Sequence, residues 1–151
     1  MSNKKVLIIC QSIHHGNTMK VAKVIAKELG ADVKKPLEVK ANDIDKYDLI
    51  GFGSGIYNGK HHISLFKLIE KFKLQKNKKT FIFTTATICY KKMAEPLKQK
   101  LIDKGFNVID EFSCKGFIDF SFIKYFFGGL NKKRPNKNDL DKAKEFALKL
   151  I

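Results

Sequence analysis

The sequence has no tryptophan, few prolines and no long hydrophobic run. No apolar stretch approaches the roughly 18 residues of a transmembrane helix, and the N-terminal run VLIIC is too short for the core of a signal peptide. We therefore expect a cytoplasmic protein without a membrane-spanning segment. Its 151 residues are 44% hydrophobic and include 13 phenylalanines. This composition predicts a single domain, residues 1–151, with a core of Phe, Ile and Leu.

Cysteine is also scarce. Cys10, Cys89 and Cys114 are odd in number, widely spaced and free of any CxxC pair. This spacing predicts reduced thiols, as in the cytoplasm, and argues against a metal site. Nothing in the sequence around Cys89 marks an activated thiol, so we expect it to serve packing.

Arginine occurs once, as Arg134, although the net charge is +15. Proteins that bind nucleic acid favour arginine, because its planar guanidinium group can donate two hydrogen bonds at once to guanine or to phosphate. The lysines are spread from Lys4 to Lys149 rather than gathered in one segment. The pattern predicts a solvated lysine-rich surface and no nucleic-acid partner. A basic face for an acidic protein or an anionic membrane remains the alternative.

Strand and helix patterns alternate along the chain. Short apolar runs predict strands at residues 5–10, 32–34, 48–54, 79–85 and 107–114. Between and after them, apolar spacing predicts four helices, the first from about Thr18 to Gly30 and the last capped by Asn138 or Asp139. Buried strands alternating with helices predict an α/β fold with a doubly wound five-stranded parallel sheet, order 2-1-3-4-5, in three layers.

The first predicted strand leads into the first predicted helix through SIHHGNT, residues 12–18. The start of a helix offers unpaired amides and a partial positive charge, and Gly16 allows close approach of the backbone. Side chains of Ser12, His14, Asn17 and Thr18 add donors, so the loop predicts a phosphate site. Neither a GxGxxG fingerprint nor a P-loop is present. The alternative is a plain turn with Asn17 or Thr18 as the helix cap.

Three loops together resemble the flavodoxin family over essentially the whole chain. GNT, residues 16–18, matches the end of that family's phosphate loop, and GSGIYNGKHH, residues 53–62, stands at its first flavin-flanking loop. TTATICYKK, residues 84–92, stands at the second flanking loop. The resemblance implies a flavodoxin-like fold that binds FMN. The middle loop also resembles a branch that includes the flavodoxin-like protoporphyrinogen oxidase.

The resemblance implies FMN contacts in each loop. Those expected are Ser12, His14, His15, Gly16, Asn17 and Thr18 at the phosphate, Ser54, Gly55, Ile56, Tyr57, Asn58 and Gly59 on one side of the ring, and Thr85, Ala86, Thr87 and Tyr90 on the other. Tyr57 would stack on the ring. The Asn58–Gly59 peptide would turn its carbonyl toward the flavin on reduction. His61 and His62 are expected to begin the second helix as solvated or capping residues, and the alternative is that one of them faces the flavin edge or a bound substrate. No catalytic residue is assigned.

The function that the resemblance implies is FMN-dependent electron transfer. The alternative is an FMN-dependent oxidoreductase of the same fold that acts on a porphyrinogen or a quinone, and a third class is an anion-binding module without flavin. Electron-carrying flavodoxins are usually acidic, whereas this chain is basic, so its redox partner proteins are expected to be acidic.

The segment after the fifth strand, residues 116–138, is long and rich in aromatic residues. Such composition argues against disorder. It leaves open a helix or turn packed on the core, a homodimer face, a lid beside the flavin, or a peripheral patch that touches anionic lipid.

Overall fold

The computed structural model describes residues 3–13, 16–90, 92–116 and 133–151. Most of the aromatic segment, residues 117–132, lies outside them. The described residues form six strands: β1 (Val6–Gln11), β2 (Asp32–Lys34), β3 (Leu49–Tyr57), β4 (Lys60–His61), β5 (Lys79–Ala86) and β6 (Asn107–Lys115). The described helices are α1 (Asn17–Leu29), α2 (Ile63–Lys71), α3 (Glu95–Asp103) and α4 (Lys137–Lys149), and short 3-10 turns occupy Pro36–Glu38 and Asp43–Lys46.

The sheet confirms the predicted doubly wound topology. Its five parallel strands run in the order β2-β1-β3-β5-β6, which is the predicted 2-1-3-4-5 once β4 is set aside. The fourth strand is an addition that the sequence did not predict: it pairs antiparallel with the end of β3. Because the five strands are parallel, their carboxyl ends share one edge of the sheet.

Both faces of the sheet are covered, which gives three layers. Along β1, Ile8 and Cys10 pack with α1 and α4, whereas Leu7 and Ile9 pack with α2 and α3. Successive side chains of a strand point to opposite faces, so a strand buried on both sides is apolar throughout. This explains why VLIIC shows no alternation of apolar and polar residues.

Two glycines in β3 make room for phenylalanines of β5. A Cβ on Gly51 would lie 2.3 Å from the Phe81 ring, and one on Gly53 would lie 2.1 Å from the Phe83 ring. Both rings are completely buried. The GFGSG run of β3 therefore matches the large side chains of the next strand, and its glycines serve close packing.

Two predicted boundaries were wrong. The third strand continues past Ser54 to Tyr57, because the chain folds back at Asn58 and pairs with β4. The last helix begins at Lys137 and is capped by Asn136, whose side chain accepts a hydrogen bond from the amide of Asp139. Asn138 is therefore exposed inside the first turn. Asp139 contributes as the third residue of a capping box rather than as the cap.

Candidate functional site

A cleft lies at the carboxyl-end edge of the sheet, where the end of β1, the start of α1 and the ends of β3, β5 and β6 meet. Its lining residues are Ser12, Ile13, Asn17, Thr18, Gly55, Ile56, Tyr57, Thr85, Ala86 and Gly116. Eight of these ten belong to the set predicted from sequence. Residues from three separate loops are thus brought together, as the parallel topology predicts.

The first wall of the cleft is the junction between β1 and α1. Gly16 precedes the helix with φ 65° and ψ 24°, and no side chain caps the helix there. The plain turn capped by Asn17 or Thr18 is therefore not what forms. Oγ of Ser12 is buried and has no hydrogen-bond partner in the described part of the chain. The junction offers amides at a helix start and one buried hydroxyl to an anion.

The start of α1 is held to β5 by a side-chain bond. The hydroxyls of Thr18 and Thr85 lie 2.7 Å apart, and both side chains are buried. This bond fixes the first helical turn relative to β5. The bond therefore links two of the elements that line the cleft.

The second wall is a hairpin formed by β3 and β4, which we call the β3–β4 hairpin. Tyr57 pairs with Lys60 across a two-residue turn, in which Asn58 has φ 52° and Gly59 has φ 81°. Asn-Gly with positive φ at both positions is the preferred turn for such a hairpin. The turn dipeptide was predicted, but the strand pairing that follows from it was not.

Tyr57 is half-buried and lies over its own strand. Its hydroxyl would be 3.1 Å from a Cβ added at Gly55, and its ring meets the His62 ring edge-on, with centroids 5.3 Å apart. Burial, followed by the nearby Cys10, raises the pKa of the Tyr57 phenol. The ring therefore presents a neutral aromatic surface to the cleft.

The remaining predicted residues take other places. Ser54 is fully buried, and its hydroxyl donates to the Gly55 carbonyl and accepts from the His62 amide. Asn58 and Gly59 are exposed at the hairpin turn, and Thr87 is half-buried beyond β5. Tyr90 lines a neighbouring depression with Cys89 and Ser113. His14 and His15 lie outside the described residues.

Two lining residues were not predicted, Ile13 and Gly116. Gly116 follows β6; its amide donates to the Ala86 carbonyl at 3.1 Å, and a Cβ on it would lie 2.7 Å from Nδ2 of Asn17. A larger residue at this position would have to displace the buried Asn17 side chain. A single glycine after the last strand carries no signal of this contact in the sequence, because Asn17 is about 100 positions away.

The two adjacent histidines differ in their environment. His62 caps α2, since its Nδ1 accepts from the Ser64 amide at 3.1 Å, which confirms the predicted capping role. His61 is only 1% exposed, so a solvated His61 was wrong. Its Nε2 lies 2.8 Å from the Thr84 hydroxyl, and burial lowers the pKa of its imidazole to about 4. His61 is therefore neutral at ordinary pH.

The cysteines show no sign of activation. Burial raises the pKa of Cys10 and of Cys114 to about 12, and burial is also the main cause that raises the pKa of Cys89. A thiol with a raised pKa is a poor nucleophile. Across residues 3–13, 16–90, 92–116 and 133–151, no group of three or more histidine, cysteine or carboxylate side chains is arranged to hold a metal. Within the same ranges no helix is long and apolar enough to cross a membrane.

Comparison with known proteins agrees with this architecture. The family model for the flavodoxin domain matches residues 7–128. An uncharacterized protein of Methanocaldococcus jannaschii is 50% identical over 149 residues, which cover 97% of this chain and 98% of that protein.

Solved structures show the same fold at low identity. Oxidised flavodoxin 2 of Bacillus cereus superposes with a TM-score of 0.72 at 19% identity, covering 95% of each chain. A flavodoxin from the domain Archaea gives 0.69 at 17% identity, covering 97% of this chain and 95% of its own. A flavoprotein of Lactobacillus acidophilus in complex with FMN gives 0.60 at 21% identity, covering 73% of this chain and 93% of its own. With the family model matched over residues 7–128 and this sheet order, the chain belongs to the flavodoxin domain family.

Proposed function

We propose that the cleft binds FMN and that the protein transfers electrons through it. The observation that carries this proposal is the buried Ser12 hydroxyl at the open end of α1, which has no partner among the described residues. A buried hydroxyl without a partner costs free energy, so an acceptor supplied by a ligand complements it. Together with the amides after Gly16, it forms a seat for a phosphate group.

The lining residues fit the two ends of FMN. Ser12, Gly16 and the first residues of α1 would hold the phosphate, joined by His14 and His15, which stand where the family usually has Ser or Thr. Gly55, Ile56 and Tyr57 would contact one side of the ring, and Thr85 and Ala86, with Thr87 and Tyr90 nearby, the other. FMN, when bound, supplies the electron-transfer chemistry. The protein would bind and orient it and exclude water with Tyr57.

The test is a titration of the flavin-free protein with FMN and with riboflavin, which lacks the phosphate. We expect FMN to bind more tightly. Ser12→Ala should raise the FMN dissociation constant roughly tenfold to a hundredfold, the factor of one hydrogen bond to a charged group, and leave riboflavin binding unchanged. A protein that alters neither the absorbance nor the fluorescence of FMN would overturn the proposal and favour an anion-binding module without flavin.

One observation supports the alternative, an FMN-dependent oxidoreductase. The large side chains of Ile13, in the cleft lining, and of Ile88 and Tyr90, in the loop after β5, are at least half exposed. Such exposed apolar side chains would suit an apolar substrate such as a quinone or a porphyrinogen. Turnover of these substrates by the FMN-loaded protein separates the two functions. For a carrier, the net charge of +15 favours an acidic redox partner protein.

A further inference from the structure

The imidazole of His61 and the hydroxyl of Thr84 form a buried pair beneath the β3–β4 hairpin. Their side chains are each 1% exposed, and Nε2 of His61 lies 2.8 Å from Oγ1 of Thr84. His61 belongs to β4, where it pairs with Ile56 of the cleft wall, and Thr84 belongs to β5. The pair therefore joins the hairpin to the rigid centre of the sheet by a side-chain bond.

The tautomer of His61 follows from the environment of its second ring nitrogen, Nδ1. Nδ1 is buried and has no hydrogen-bond partner in the described part of the chain. An unpartnered buried N–H is rarer than an unpartnered buried acceptor, so the proton belongs on Nε2. His61 thus donates to Thr84, and its Nδ1 keeps only a lone pair.

The β3 side of the hairpin is fixed in the sheet, since its residues as far as Gly55 pair with β5, whereas β4 pairs with β3 alone among the described strands. β4 consists of two residues, and a short two-stranded hairpin is only marginally stable by itself. One further tie is the Ser54 hydroxyl, which accepts from the His62 amide at 2.9 Å. Lys60 of β4 also lies over the Phe66 ring of α2, with its ammonium 5.8 Å from the ring centroid. The bond from His61 ties β4 directly to β5.

Consecutive threonines of β5 serve the two walls of the cleft. Thr84 accepts from His61 of the hairpin, and Thr85 bonds Thr18 at the start of α1. Successive side chains of a strand point to opposite faces of the sheet. Thr84 therefore bonds the β3–β4 hairpin on one face of the sheet, and Thr85 bonds the start of α1 on the other face.

We propose that His61 is a positioning residue that holds the β3–β4 hairpin, and with it Tyr57, in the geometry that receives the flavin ring. The expected effect of His61 on flavin binding rests on the proposed function. The hairpin's attachment itself is a property of the flavin-free protein. Thr85 plays the matching part for the phosphate end, through Thr18.

The test uses His61→Leu and Thr84→Val, which remove the bond, and His61→Gln, whose side-chain amide can still donate to Thr84. Thr80→Val is the matched control: Thr80 is a buried threonine of the same strand whose hydroxyl donates to the Ile50 carbonyl, away from the cleft. Amide hydrogen exchange and the global free energy of unfolding are both measured on the flavin-free proteins. Dissociation constants for riboflavin and FMN are then determined.

In His61→Leu and Thr84→Val, we expect faster exchange at the hairpin amides, with other sheet amides changed only as far as global stability changes. Riboflavin and FMN dissociation constants should both rise about fivefold, the factor of one neutral hydrogen bond. His61→Gln should restore values close to wild type. Thr80→Val should lose stability without selective exchange at the hairpin.

Hairpin exchange in His61→Leu that merely follows global stability would overturn the proposal, as would wild-type riboflavin affinity in that variant. If the wild-type protein binds neither flavin, the proposed function fails, while the exchange data still decide whether His61 holds the hairpin. An equal loss of flavin affinity in Thr80→Val would also contradict a specific positioning role.

Discussion

His61 and His62 are adjacent in the sequence but lie in different environments, His62 as the cap of α2 and His61 buried beside Thr84. The burial of His61 depends on the turn at Asn58–Gly59, which folds β4 back along β3 and turns every second side chain inward. Because the sequence pattern of a two-residue strand is too short to show alternation, this burial could not be predicted from sequence.

The same burial predicts a pH-dependent stability. The pKa of His61 falls from 6.5 to about 4 in the folded protein, so the unfolded chain takes up a proton that the folded protein refuses. The contribution of His61 is complete above pH 6.5 and is lost as the pH falls toward 4. The loss amounts to about 3 kcal/mol, at ~1.4 kcal/mol per pKa unit. Chemical denaturation at a series of pH values measures it.

Other groups titrate in the same range, so the comparison is with His61→Gln. The carboxyls of Asp43 and Glu70 have lowered pKa values, the first through a backbone hydrogen bond at Lys40 and the second through Lys100. Protonation of these two carboxyls also destabilises the folded protein at low pH, but it does so equally in wild type and in His61→Gln. The difference between the two stability curves isolates His61, and parallel curves between pH 7 and 4 would contradict its burial as a neutral side chain.

At the scale of elements, the apolar strands and the helix periods were predictable, because burial on both faces selects continuous runs such as VLIIC. The residues at which the elements begin and end were harder to predict. Asn136 and Asn138 are equally good cap residues by type, but in the structure the Asp139 carboxylate accepts from the Asn136 amide and is held by Arg134. Its guanidinium forms a two-pronged ion pair with Asp139, at 2.5 and 2.6 Å. The sole arginine thus serves to fix the start of α4.

This start can be tested with two matched substitutions. Asn136→Ala removes the side-chain acceptor for the Asp139 amide and should lower the free energy of unfolding by about 1 kcal/mol. Asn138→Ala, two positions further on, changes an exposed residue inside the first turn and should shift it by no more than about 0.5 kcal/mol. Urea denaturation of both variants gives the answer. Equal effects, or a larger one at residue 138, would place the cap where the sequence had suggested.

For the whole molecule, the position of the cleft was predictable because a parallel sheet brings the carboxyl ends of its strands to one edge. Residues that follow β1, β3 and β5 could be assigned to it in this way. Gly116 could not, because its contact with Asn17 depends on how closely the end of β6 approaches α1. Topology therefore predicts which loops meet, and packing decides which of their atoms touch.

The charge of +15 acts on the whole cleft and predicts the direction of a salt effect. Lys60 pairs with Tyr57 in the hairpin, and Lys115 directly precedes Gly116. Reduced FMN is more negative than oxidised FMN, so a positive field favours reduction. Raising the salt concentration screens that field. We therefore expect the midpoint potential of bound FMN to become more negative, by tens of millivolts, as ionic strength rises from about 50 to 500 mM.

Spectroelectrochemical titration of the FMN-loaded protein measures this shift, with free FMN as the reference for direct salt effects. Lys115→Gln, beside the cleft, should lower the potential at low salt. Lys76→Gln removes the same charge at the opposite edge of the sheet, where Lys76 lines a depression with Lys4 and Lys79, and should change it less because screening weakens distant charges. A potential that rises with salt would mean that the local field at the cleft is negative despite the net charge.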